Sequence, residues 1–173
     1  MSRRHIVPFI PIIAFLVATA FVTSARAADT CDALYEAGIK AVQMPHHVYT
    51  TKTTPRGGKF LQSSEAIFTG GVEYLRAGGR WRRSALPQQP MLEAAREKLK
   101  THPDTCADAG DETVDGHAVT TYKVHDKESG ADSLVHIFKS TGLLLGQTLT
   151  LPDGSIMKTR YEYTNVQPPA GMK

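Results

Sequence analysis

Residues 117–166 read HAVTTYKVHDKESGADSLVHIFKSTGLLLGQTLTLPDGSIMKTRYEYTNV, and their pattern commits the chain to antiparallel sheet. β-Branched and aromatic residues alternate with polar ones over His117–His125, Ser133–Lys139, Leu143–Leu151 and Ser155–Val166, the period of two that a strand imposes. Between them lie Lys127-Glu128-Ser129-Gly130, Ser140-Thr141-Gly142 and Pro152-Asp153-Gly154, all of turn composition. Connections this short join antiparallel neighbours, because a parallel crossover needs about a dozen residues or more.

The same grammar extends upstream. Asp115-Gly116 joins His117 to a segment Cys106–Val114, and strands are expected at His46–Thr54, Lys59–Thr69, Val72–Arg76 and Arg80–Ala85. Their punctuation is Pro55-Arg56-Gly57-Gly58, Gly70-Gly71 and Gly78-Gly79. Two segments have helical period instead. Over Asp29–Gln43, Cys31, Leu34, Tyr35, Ile39 and Val42 form a stripe that Asp29 or Thr30 caps; Met91–Lys100 follows Pro87 and Pro90 with a thinner one of Met91, Leu92, Ala95 and Leu99. The sum is an α+β fold: one large curved antiparallel sheet, a half-barrel of about nine strands, with an N-terminal and a mid-chain helix covering its concave face. A sheet of that size is expected to curl.

Met1–Ala27 has the anatomy of an export signal. Arg3, Arg4 and His5 precede the apolar run Ile6–Val22, and Ala25-Arg26-Ala27 offers small residues for cleavage. The run is shorter than the ~20 residues of a membrane-spanning helix, so no stable membrane span is expected after cleavage. Residues 28–173, 146 of the 173, are expected to form one domain in the periplasm or outside the cell. Loss of Arg3, Arg4 and Arg26 lowers Lys+Arg from 20 to 17 against 17 Asp+Glu. A neutral chain lacks the basic excess that draws proteins to phosphate backbones, so a nucleic-acid partner is not expected. Cys31 and Cys106 are expected to pair in an oxidising compartment. Ala28-Asp29-Thr30 lacks the pattern that lipid attachment at Cys31 requires.

Taken together, the order of elements resembles the periplasmic lipoprotein-carrier superfamily. The local carriers of that resemblance are Gly71-Val72-Glu73-Tyr74 followed by Gly79-Arg80-Trp81, Asp115-Gly116 before a strand holding Tyr122, Thr141-Gly142-Leu143-Leu144, and the closing Tyr161-Glu162-Tyr163-Thr164-Asn165-Val166. The resemblance implies a half-open antiparallel barrel with helices as a lid over an apolar cavity that binds acyl chains or hydrophobic protein segments.

Candidate lining residues for such a pocket are Phe60, Phe68, Tyr74, Trp81, Met91, Leu92, Tyr122, Leu145, Leu149, Met157, Tyr161 and Tyr163, against the plainer reading that they pack the core. Strict alternation groups Leu143, Leu145, Leu149 and Leu151 on one face. Arg76, Arg80, Arg82 and Arg83 surround Trp81; Arg80, Arg82 and Arg83 are candidates for a pocket rim or an anionic headgroup, against the plainer reading of a charged sheet edge. The acids Asp104, Asp108, Asp111, Glu112 and Asp115 do not have calcium-loop spacing and read as a solvated loop. His46, His47, His102, His117, His125 and His136 show no metal-site spacing, although His117 and His136 have the separation to meet across neighbouring strands. No nucleophile motif, phosphate loop or perturbed carboxylate pair is present, so neither catalysis, a metal nor a cofactor is expected. The expected function is non-catalytic binding of a lipid, acyl chain or lipidated peptide by a monomer. The alternative is a periplasmic protein-interaction or envelope-sensing module without a small ligand.

Overall fold

The computed structural model describes residues 28–54, 60–84, 88–101 and 103–172. The expected signal segment, His102, and the turn at 55–58 lie outside them. The elements are α1 (Ala28–Gln43), β1 (His46–Thr53), β2 (Phe60–Thr69), β3 (Val72–Ala77), β4 (Arg80–Arg83), α2 (Gln88–Thr101), β5 (Asp104–Val114), β6 (His117–Asp126), β7 (Asp132–Phe138), β8 (Leu144–Thr150) and β9 (Ile156–Glu162). Each expected element is present, displaced by at most a few residues. Because β5 begins at Asp104, Asp104, Asp108, Asp111 and Glu112 belong to a strand, where the last three are exposed, and only Asp115 lies in a turn as the composition suggests.

Nine strands form one open, curved antiparallel sheet in the order β4-β3-β2-β1-β9-β8-β7-β6-β5. Two meanders, β1–β4 and β5–β9, are joined edge to edge by β1 and β9. The tight turns follow their sequences: Gly70-Gly71, Gly78-Gly79 and Asp115-Gly116 each place two successive residues at positive φ, as the two-residue hairpin turn matched to strand twist demands.

Both outer strands are linked through α2. A flat nine-stranded sheet would hold β4 and β5 about 38 Å apart. The connection is a helix of 14 residues, about 21 Å long, plus six flanking residues that reach roughly 20 Å fully extended. Such a connection between the two outer strands carries α2 across the sheet, where it packs on α1.

On the sheet itself α1 packs against β5, β7 and β8. The Cys31–Cys106 disulfide ties α1 to β5, as expected from export, and the Tyr35 hydroxyl donates to Asp104 Oδ2 at 2.9 Å. Around them Ala37, Val124, Val135 and Ile137 are buried, with Leu34, Leu99, Tyr122 and Leu144 packed alongside. Burial and the acceptor Asp104 push the Tyr35 phenol up to about 12.

Candidate ligand-binding site

Because residues paired across antiparallel strands share a face, the register divides the candidate residues into two sets. Val135, in the core beneath α1, pairs with Tyr122 and Gln147; Gln147 continues to Thr159 and Thr50. The helix-bearing face therefore includes Tyr122, Leu149, Met157, Tyr161 and Phe68, and, at the outer strands, Arg80 and Arg82. Tyr74, Trp81 and Arg83 fall on the opposite face, because strict alternation along β3 and β4 separates each from the neighbours that sequence adjacency grouped with it. The side chain of Phe60 lies outside the described residues.

Leu145 departs from the expected alternation for a different reason. The β7–β8 register shifts so that Ile137 pairs with Leu144 and His136 with Gly146, leaving Leu145 as the extra residue of a bulge. Leu144, Gln147 and Leu149, not a row of Leu143, Leu145, Leu149 and Leu151, line a cavity of about 230 Å³ beneath the helix pair, with Leu34, Tyr35 and Val135.

From β9 to β4 the helices meet their face only near the β2–β3 turn, with at most sparse contact otherwise among the described residues. There one transverse row runs Tyr161, Val48, Ala66, Leu75, Arg82, each directly paired with the next. It is an apolar strip ending in a cation, and Leu75 is exposed on it. In the adjoining row His46 pairs with Phe68 and Phe68 with Glu73. The His46 ring stacks on Phe68 at 4.4 Å and lies about 6 Å from Tyr161 and Tyr163. His46 Nδ1 donates to the Met44 carbonyl at 2.7 Å, but burial outweighs this bond and depresses the imidazole pKa. Burial raises the phenols of Tyr161 and Tyr163, and the Leu144 backbone amide beside the Tyr163 hydroxyl partly opposes the shift there. Met91 and Phe68 line a second cavity, of about 240 Å³, where the end of α1 and the start of α2 meet the β2–β3 turn. Leu92 is buried in α2.

The opposite face is polar along its middle. Thr121, His136, Gly146, Arg160, Tyr49, Glu65, Arg76 and Trp81 are successive cross-strand partners from β6 to β4. Glu65 accepts from Arg76 at 2.9 Å and lies 2.8 Å from His47 Nε2; the Arg76 guanidinium stands over Trp81. Thr121 bonds to Glu112 and lies 2.9 Å from His136 Nδ1. His136 thus faces Thr121, while His117 packs edge-on against Phe138, so the two histidines do not meet.

Val48, Ala66, Leu75, His46 and Glu73 had no part in the sequence-derived pocket. The first three alternate in step with Phe68 and Tyr161, a signal that becomes readable only once register is known.

No family model matches the chain, and no curated protein matches it. Among solved structures it is similar to the crystal structure of MucB, at 15% identity and a TM-score of 0.49, covering 84% of this chain and 62% of that one. It is similar to the Mycobacterium tuberculosis lipoprotein LppX at 11% identity, TM-score 0.46, covering 80% and 98% of the respective chains. A third is a LolA superfamily protein from Nitrosomonas europaea, at 9% identity and TM-score 0.30, covering 83% and 96%. The chain spans less than two thirds of the length of MucB.

Proposed function

We propose that the protein is exported to the periplasm through Met1–Ala27 and there binds, without catalysis, an amphiphile with an acyl chain: a lipid or a lipidated peptide. The observation that carries this reading is the strip Tyr161–Val48–Ala66–Leu75, apolar, outside the helix pair's cover, and ending at Arg82. Three strand spacings from Tyr161 to Leu75 give the apolar part a length of about 14 Å, and a fourth reaches Arg82 at about 19 Å, enough for an extended medium-length acyl chain with its headgroup at the arginine. Burying its apolar area is worth roughly 25 cal/mol per Å². Arg82, with Arg80 on the same face, supplies guanidinium donors at the end where an anionic headgroup would emerge. Phe68, Met157 and Leu149 extend the apolar surface on either side, and Met91 and Leu92 belong to the lid.

Native mass spectrometry and organic extraction of protein recovered from the periplasm test the reading. A discrete mass excess, identified as lipid and lost in Ala66→Glu while the melting temperature holds, is expected. A protein without bound amphiphile, and with no saturable uptake of an anionic lysolipid, would overturn it in favour of an interaction module that carries no ligand.

A further inference from the structure

Glu73 differs from the other acids of the sheet. Only 8% of it is exposed, and its Oε2 is buried without a hydrogen-bond partner among the described residues. Elsewhere acids find bases: Glu65 has Arg76 and Asp111 has Lys139. Glu73 makes no ion pair among the described residues, and the 240 Å³ cavity that it lines contains neither lysine nor arginine. A buried carboxylate left unpaired costs several kcal/mol in order of magnitude, a cost that a bound cation would offset.

The surroundings favour the same sign. α1 ends at Gln43 on the cavity wall, so the negative end of its dipole is directed there. α2 also begins at this cavity, and its positive end opposes that effect. However, Pro90 in its first turn has no N–H to give; the Gln88 side-chain Nε2 donates to the Val42 carbonyl at 2.6 Å and ties the two helix ends together. Phe68 supplies an aromatic face, while Met44 and Met91 supply polarizable thioethers. The nearest titratable ring, His46, feels the charge of Glu73, but its burial disfavours the imidazolium that would neutralise it.

The volume sets the size of the guest. The cavity exceeds the ~150 Å³ that admits benzene and falls below the roughly 300 Å³ of pockets for drug-sized ligands. We infer that it binds a primary ammonium group borne on a short apolar chain, with Glu73 as the counter-ion and Phe68, Met44 and Met91 around the chain. The inference goes beyond the amphiphile reading: Phe68 and Met91 are shared with that site, but Glu73, on which the inference turns, has no part in the strip ending at Arg82.

Amide NMR titration of the exported protein with hexylamine, hexanoate and hexan-1-ol at neutral pH tests it. Saturable hexylamine shifts centred on Gly70, Gly71 and Gln88 are expected, weakened at least tenfold in Glu73→Gln, with no saturation by the acid or the alcohol. A rise in the wild-type melting temperature with hexylamine concentration gives a readout that does not depend on the variant folding. Dihexanoyl phosphatidylethanolamine binding more tightly than hexylamine would identify a lipid headgroup as the source of the ammonium; weaker binding would identify a free amine. Absence of saturable hexylamine binding to wild type, affinity unchanged by Glu73→Gln, or equal binding of hexanoate would overturn the inference.

Discussion

Gly146 is a point at which the sheet has no room for a side chain. A β-carbon there would lie 2.9 Å from the Thr159 carbonyl oxygen, a backbone atom fixed in the neighbouring strand. Gly146→Ala is therefore expected to destabilise by about 1–3 kcal/mol, the usual cost of overpacking, read as a lowered thermal midpoint; an unchanged midpoint would mean that β8 and β9 can separate at no cost. His46 couples stability to pH. Burial lowers its folded-state pKa below the ordinary value of 6.5, so the unfolded chain binds the proton more readily. Its contribution is complete above about pH 6.5 and is lost as pH falls from there through the folded-state pKa. Chemical denaturation of wild type and His46→Gln between pH 7.5 and 5 should show a steeper acid loss in the wild type; parallel profiles would refute the coupling. At this scale the sequence was only partly readable. Phe68 and Tyr161 follow from alternation, but the burial of Glu73 depends on where the ends of two helices meet a turn, which no local pattern encodes.

Among the elements, α1 is held by one covalent tie, a hydrogen bond from Tyr35 to Asp104, and packing on three strands. The disulfide spans 75 residues of sequence, and on the chain-entropy model closing such a loop adds up to about 4 kcal/mol. Cys31→Ser with Cys106→Ser is expected to lose most of that in urea denaturation, with amide protection in α1 falling before that in β6 and β7. Equal loss in all three would mean that α1 and the sheet unfold as one unit. Strands and turns were legible because Gly-Gly and Asp-Gly pairs fix two-residue connections. The bulge at Leu145 was not: within Leu143-Leu144-Leu145 every residue is apolar, so the run has no period from which a skipped pairing can be read. The same limit explains why Trp81 and its arginines divide between faces, since a four-residue strand in isolation does not reveal which of its sides meets the helices.

For the molecule as a whole, the class, the single curved sheet and the two helices were all visible in period and punctuation. The order of strands was not, because a chain of hairpins does not state which strand of one meander meets which of the other. That junction is the pairing of β1 with β9, between residues more than a hundred apart in sequence. Every other pairing in the sheet is between strands consecutive in the chain. The β1–β4 and β5–β9 meanders can therefore zip up through nearby contacts, whereas the seam requires closure of a long loop before any of its hydrogen bonds form. Folding is thus expected to be gated by an encounter between two preassembled halves, with the rate set at the middle of the finished sheet and not at its edges.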